Sequence, residues 1–259
     1  MINKKSATYK DFKKSYWITS KNIFIDHEGK HIINFQKNFP LVLKSVHFYI
    51  DYKLTPNYHD YLEITYALNG NGTFIISDKK YTVKKGDIFI INNIELHTVL
   101  ADHNKTLNLI STYFLPELIY KPGDNESNLD YLKLFFNQDK NFNHRIPSDK
   151  TPSNIFNLIY KMYNEIINKN KYYILSIKTF LQEILIFLLY YHKDHITSSR
   201  TIYNHNLVDI ERLRSTFVLI MNNYDKNITL CKAAETACMS PNYFCKFFKK
   251  VTGHSFKEY

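Results

Sequence analysis

Ser240-Pro241-Asn242-Tyr243-Phe244-Cys245-Lys246-Phe247-Phe248-Lys249-Lys250, closed by Thr252-Gly253, separates into two faces when wound as a helix. Phe244, Phe247 and Phe248 recur at i, i+3 and i+4, the spacing of a stripe turned toward a core. Asn242, Cys245, Lys246 and Lys249 project elsewhere. Ser240 is a favourable N-cap for this helix. Upstream, Thr229 is placed to cap a helix over Leu230–Ala237, in which the small Ala233, Ala234 and Ala237 permit close packing. Met239-Ser240 supplies the turn between the two. A further helix is expected over Val208–Asn222, broken by Asn223-Tyr224-Asp225-Lys226-Asn227. The last fifty residues thus read as a helix-turn-helix with a basic, aromatic second helix.

A polar, basic helix face of this kind is what the major groove of duplex DNA admits, its early residues at base edges and its lysines near phosphates. A small helical bundle with solvated surface lysines has the same spacing. Charge does not choose between them. The chain carries +10 and a pI near 9.2, which favours an anionic partner. Between Asp209 and Tyr259, however, eight basic residues face five acidic ones, and Lys4, Lys5, Lys10, Lys13 and Lys14 cluster at the other end. Cys231, Cys238 and Cys245 show no CxxC or paired Cys/His spacing, which argues against zinc. They are expected to be reduced, buried or half-buried thiols in a cytoplasmic protein.

From Leu41 to Pro116 the pattern is short apolar runs: Leu43–Tyr49, Tyr61–Leu68, Thr73–Ile76, Tyr81–Val83, Ile88–Ile91 and Leu107–Phe114. Asn69-Gly70-Asn71-Gly72, Asp78-Lys79-Lys80 and Lys85-Gly86-Asp87 punctuate them. Such runs predict a β-sandwich or barrel. After Asn125 the period turns helical. Leu129, Leu132, Leu134, Phe135 and Phe136 suggest one helix. Ile155, Leu158, Ile159, Met162, Tyr163, Ile166 and Ile167 mark a second, with Ser153 as its expected N-cap. A third runs from about Tyr172 to His192 and is apolar over so much of its circumference that it needs burial on more than one side. The remainder of the chain or a partner subunit would supply the second side. Its most apolar run, Ile184–Tyr191, is eight residues, short for a bilayer span. Met1-Ile2-Asn3-Lys4-Lys5 opens no secretory signal. His195–Asn206 reads as a linker.

The phrases Ile228-Thr229-Leu230, Ala233-Ala234, Met239 to Phe244, Phe247 to Lys250 and Thr252-Gly253-His254-Ser255-Phe256 resemble the first helix-turn-helix of the AraC/XylS family of transcription regulators. The resemblance is strong over about fifty residues and looser upstream. It implies that Asn242, Cys245 and Lys246 face bases, and that Ser240, Pro241, Tyr243 and Lys249 lie near the DNA backbone, with Lys250 on the same helix. It also implies a cupin-like N-terminal domain. His59-Asp60-Tyr61-Leu62-Glu63 followed by Gly70 resembles the first cupin motif, and Gly86-Asp87 through Asn92 to His97 the second. Asn57 stands where the first motif's leading histidine would be, and Asn92 and Ile94 replace the second motif's Pro and Gly. His59 and Glu63 share parity on a strand, so both are expected to face the interior. With His97 they would form a two-histidine, one-carboxylate set for a divalent metal. A pocket for a small molecule and a domain without ligand are the other readings.

The expected architecture is α+β: a cupin-like barrel over 1–152, two long dimerisation helices over 153–194, a linker over 195–207 and a first helix-turn-helix over 208–259. Family members continue into a second helix-turn-helix, and Tyr259 lies where its connecting helix is expected to begin. The expected function is a cytoplasmic, homodimeric regulator that binds duplex DNA through Ser240, Pro241, Asn242, Tyr243, Cys245, Lys246, Lys249 and Lys250. It senses an effector through His59, Tyr61, Glu63 and His97, without cofactor, resident metal or membrane contact. It is not expected to be an enzyme, since the chain has neither Gly-x-Ser-x-Gly nor a phosphate-cradling loop. A metal-dependent cupin enzyme and a dimerising fragment without DNA binding are the alternatives.

Overall fold

A computed structural model describes residues 17–19, 22–27, 29–49, 54–77, 79–92, 95–103, 105–120, 126–136, 141–196, 213, 215–216, 219, 223, 227–252 and 255–257. The chain forms two compact units, Met1–Ile196 and Thr197–Tyr259. Among the described residues the first holds nine strands: β1 (Trp17–Thr19), β2 (Leu41–Phe48), β3 (Leu62–Gly70), β4 (Gly72–Ile76), β5 (Lys79–Val83), β6 (Ile88–Ile91), β7 (His97–Ala101), β8 (Leu107–Phe114) and β9 (Arg145–Ile146). They make a six-stranded sheet, β1-β2-β8-β3-β6-β9, and a three-stranded sheet, β5-β4-β7. Every pairing is antiparallel except β1 with β2. The two sheets face each other as the cupin-like sandwich that the strand runs predict.

Alternation along the strands builds its core. Val46 and Phe48, Ala67, Phe89 and Ile91, and Leu107 and Leu109 turn inward from the large sheet to meet Phe74, Ile76, Val83, Val99 and Ala101 from the small one. β8 is buried along its whole length, so both of its faces are covered. The outward side chains Tyr66 and Phe114 meet Phe156 and Phe135, which come from the helices. Gly70 lies at the β3–β4 turn with φ +93°, and a Cβ there would come within 2.0 Å of Thr106 O. Only glycine fits that approach. β1, β7 and β9 carried no strand signal in the sequence.

The helices of this unit are α1 (Glu126–Phe136), α2 (Asn154–Asn168) and α3 (Tyr173–Tyr191). α2 buries Ile155, Leu158, Ile159, Met162 and Tyr163, the expected stripe. Ser153 precedes it, but its backbone is helical and its side chain makes no cap bond. The apolar run Ile184–Tyr191 belongs to the 19-residue α3, whose length and mean hydropathy of 1.5 do match a bilayer span. It nevertheless packs on α1 and α2 through Ile177, Leu181, Ile184, Leu185 and Leu188, and carries Lys178 and Glu183. Its opposite side leaves Leu175, Ile186 and Tyr190 exposed.

At the C-terminal end of α3, His192 is 1% exposed, stacks on Phe142 at 4.3 Å, and has no hydrogen-bond partner at either ring nitrogen. Burial, then the nearby His195 and His144, push its pKa down to about 4. The folded state thus keeps it neutral while the unfolded chain protonates near pH 6.5. A depressed histidine contributes stability that is fully present above pH 6.5 and is lost as pH falls toward 4. Unfolding free energies from urea titrations are expected to fall over that window, by up to about 1.4 kcal/mol per pH unit for this group. His192→Leu should flatten the slope, and an unchanged slope would disprove the assignment.

The second unit contains α4 (Leu230–Thr236) and α5 (Pro241–Thr252). Thr229 caps α4 by accepting from Lys232 N at 3.2 Å. Leu213, Ala233, Ala234, Ala237, Met239, Phe244, Phe247 and Phe248 form the core, joined by Ile228, Leu230 and Phe256. Thr216 Oγ1 donates to Ala233 O. The expected helix over 208–222 falls mostly outside the described residues, as does most of the expected linker. Cys231 and Cys238 are exposed and Cys245 is intermediate, so the expectation of covered thiols fails for the first two. Cys238 sits in the turn between the helices at φ 54°, a left-handed conformation. That geometry costs an L-residue about 1–2 kcal/mol. Cys238→Gly is expected to raise the unit's stability by roughly 0.5–1 kcal/mol, net of glycine's larger unfolded-state entropy. A variant no more stable than the parent would refute this.

Candidate functional site

α5 presents its two faces as its sequence requires. Phe244, Phe247 and Phe248 are buried, while Ser240, Pro241, Asn242, Tyr243, Lys246 and Lys249 are exposed. Tyr243 N donates to Ser240 Oγ at 3.4 Å, a weak cap. Asn242, Lys246 and Lys249, at i, i+4 and i+7, form one outward row. Cys245 is half-buried beside it. The Lys250 side chain lies outside the described residues.

The second site is in the sandwich. A cavity of about 20 Å³ is lined by Ile23, His31, Asn57, Glu63, His97, Ser111 and Tyr113, among others. That is room for one water-sized guest. Of the four residues expected to form a pocket, Glu63 and His97 reach its wall. His59 and Tyr61 do not line it; they form the layer behind. Both precede β3, so the expected strand parity of His59 with Glu63 does not apply. Instead the chain bends at Asp60-Tyr61 and brings the two together as i and i+4.

His59 Nε2 lies 3.0 Å from Glu63 Oε2, and His97 Nε2 lies 3.8 Å from the same oxygen. Each imidazole is anchored at its other nitrogen. His59 Nδ1 donates to Tyr61 O at 2.9 Å and His97 Nδ1 to Glu95 O at 2.8 Å. Carbonyls only accept, so each ring carries a proton on Nδ1 and turns Nε2 toward the carboxylate, and the 3.0 Å contact of His59 Nε2 with Glu63 Oε2 holds a further proton between ring and carboxylate. Tyr61 stacks on His59 with centroids 4.0 Å apart, and its hydroxyl bonds His31 Nδ1 at 2.7 Å. The other carboxylate oxygen, Glu63 Oε1, accepts from Thr65, which bonds Ser111 in turn. Asn57 is held by a two-way backbone bridge to His97. Its Nδ2 donates to Thr55 O and His97 O, leaving Oδ1 buried without a partner.

Burial alone would raise the Glu63 pKa. The bond and charge of His59, then His97 and Thr65, outweigh it and hold the carboxyl down at about 2. Burial lowers His97 to about 4 and His31 to about 3, so both are neutral at physiological pH. The site thus offers a buried carboxylate, a neutral imidazole and an unpaired amide oxygen around a small void. His31, Ser111 and Tyr113 were not singled out from sequence. Ser111 and Tyr113 were readable in principle, because they continue the inward parity of Leu107 and Leu109 on β8. His31 arrives from a loop that no spacing marks.

The AraC-like ligand binding domain family matches residues 45–185. The bacterial regulatory helix-turn-helix proteins of the AraC family match residues 220–259. No curated protein matches the chain. Among solved structures it is similar to a cupin protein from Bacteroides fragilis, at 17% identity and TM-score 0.28, over 29% of this chain and 66% of that one. A cupin 2 conserved barrel domain protein from Salinispora arenicola aligns at 13% identity and TM-score 0.29, over 32% and 71%. A predicted oxalate decarboxylase from Thermotoga maritima aligns at 23% identity and TM-score 0.29, over 30% and 69%. A ligand-binding sandwich followed by a helix-turn-helix, each matched by its own family, makes this chain a member of the AraC family of DNA-binding, effector-sensing transcription regulators.

Proposed function

We propose that α5 enters the major groove with Asn242 and Lys246 at base edges and Ser240, Pro241, Tyr243 and Lys249 along the phosphates. The observation that carries this is the division of α5 into a buried phenylalanine stripe and an exposed polar row. Asn pairs with adenine and Lys with guanine by hydrogen-bond geometry. Half-buried Cys245 lies at the margin of that row and contributes least. The sandwich, assigned to 1–152, holds the effector in the cavity at Glu63 and His97, with His59 and Tyr61 as its support. The helical segment 153–194 and linker 195–207 connect it to the reader at 208–259; the break between compact units at Ile196 supports that placement. The protein acts as a regulator, not an enzyme, in the cytoplasm where duplex DNA is found.

A second copy of the chain covers the outer side of α3. Leu175, Ile186 and Tyr190 fall on one helical face, and only 28% of the helix's apolar window is buried. Dimerisation puts two readers on one duplex and raises affinity through effective concentration. Ile186→Glu should convert the sedimenting dimer to monomer, and a dimer that persists would contradict this face. For the reader, fluorescence anisotropy on a duplex enriched from random sequence tests the roles. Asn242→Ala with Lys246→Ala should weaken binding at least tenfold with the fold intact, each good base contact being worth about 1–3 kcal/mol. Equal affinity would rule the assignment out.

A further inference from the structure

We propose that His192 is an acid-operated latch on the exit of the first compact unit. A proton gained there expels the ring from its stack on Phe142, releases the turn that leads out of the unit, and lowers affinity for duplex DNA. The DNA step rests on the reading of α5 as the reader; the latch itself does not.

Position is the first observation. His192 caps α3, its N donating to Leu188 O at 3.0 Å. Its carbonyl accepts from His195 N at 2.8 Å and from Ile196 N at 3.1 Å. Ile196 is the last residue of the first unit. One residue's backbone therefore fixes both the end of α3 and the point from which the chain leaves for the second unit.

The second observation is the ring's surroundings. It stacks on Phe142 at 24° between planes and meets the Tyr191 ring edge-on at 4.9 Å. Neither nitrogen has a partner, although the residue is buried. A neutral imidazole leaves one donor and one acceptor unanswered there; an imidazolium leaves two donors and a charge. The C-terminal end of a helix favours a cation where that cation approaches the last carbonyls. Neither nitrogen of His192 bonds one. An apolar side chain would fill the same space without orphaned nitrogens, so packing by itself does not account for a histidine here.

The third is that its titratable neighbours offer no counter-charge. His195, on the following turn, and His144, beside β9, both oppose a positive charge on His192. Glu95 is engaged by His144 Nε2 at 3.3 Å, by Ser77 Oγ and by Asn92 N. Lys79 Nζ donates to Phe142 O at 2.9 Å, which adds a further cation on the stacked side. Asp149 and Arg145 act on the Tyr191 hydroxyl in opposite senses. Lys193 and Asp194 are exposed on the turn and carry opposite charges. Among the described residues no carboxylate bonds the ring. Burial and the two histidines hold the latched ring's pKa near 4, whereas a released ring titrates near 6.5. Each pH unit below 6.5 thus favours release up to about tenfold further, until the latched ring itself titrates.

The test uses the full chain between pH 7.5 and 5.5. Amide hydrogen exchange at His192, His195 and Ile196, corrected for the intrinsic pH dependence of exchange, reports the opening of the turn. Fluorescence anisotropy on a duplex enriched from random sequence reports the reader. Between pH 6.5 and 5.5 the opening constant should rise by up to about tenfold in wild type. It should stay flat in His192→Phe, which keeps a stacked ring and cannot titrate. If His192→Phe does not fold, His192→Leu takes its place. Over the whole range wild type should lose at least about threefold more duplex affinity than the variant, as the released population grows. An equal rise in exchange in both proteins, or none in wild type, overturns the latch. A rise confined to wild type with no difference in duplex affinity overturns its coupling to the reader. A chain that binds no duplex at any pH overturns the reading of α5, and the exchange measurement then judges the latch by itself.

Discussion

Replacing Phe244 with alanine is expected to unfold the C-terminal unit while the sandwich stays folded. Phe244 is fully buried and touches both other anchors of that core, Phe248 at 5.3 Å and Phe256 at 5.4 Å between centroids. Phe-to-Ala truncation in a core costs about 3–5 kcal/mol. Stability of roughly 0.05–0.15 kcal/mol per residue gives a unit spanning 197–259 only about 3–9 kcal/mol in total. The substitution therefore removes from a third to all of what holds the reader together. Amide exchange should show residues 229–252 losing protection, with strands β2, β3 and β8 unchanged and specific DNA binding lost. Retained protection across α4 and α5 would mean that the phenylalanine stripe is not the core of this unit.

Asp87→Ala is expected to do comparable damage to the sandwich, by electrostatics instead of packing. The Asp87 carboxylate is fully buried and accepts four bonds: Lys84 N at 2.8 Å, Ser148 N at 2.9 Å, and Arg145 Nε and Nη2 at 2.8 and 3.3 Å. These tie the β5–β6 turn to the segment running from β9 toward α2. Alanine strands two backbone donors and a mostly buried guanidinium. Removing one partner of a buried ion pair costs about 3–5 kcal/mol. Urea denaturation followed through the sandwich should register a loss of that size, with Asp87→Asn milder because it keeps an acceptor. A loss under about 1 kcal/mol would show that solvent reaches and satisfies these donors.

The helical parts were readable because they follow a single rule. The i, i+3, i+4 stripe at Phe244, Phe247 and Phe248 and the stripe from Ile155 to Tyr163 are both buried, and Thr229 caps where a threonine before an alanine-rich helix should. The sheet was legible where alternation is strong and invisible where it is not. β7, His97–Ala101, is five residues of mixed character that become a strand only by pairing with β4. The site was half legible. Motif spacing singled out His59, Glu63 and His97 and marked Asn57 as a departure. It could not show that His59 reaches Glu63 across a bend and not along a strand, nor that Asn57 lines the cavity and leaves its amide oxygen unpaired. Both depend on the backbone bridge between Asn57 and His97, a contact forty residues apart in the chain.

The central claim is that the outer row of α5 reads bases. Enrichment of duplexes from a random library, run in parallel with wild type and Asn242→Ala, tests it most directly. Wild type should enrich a recurring sequence, and Asn242→Ala should lose preference at one position, an adenine, while keeping the rest. Identical enriched sequences of equal strength from both proteins would contradict the account.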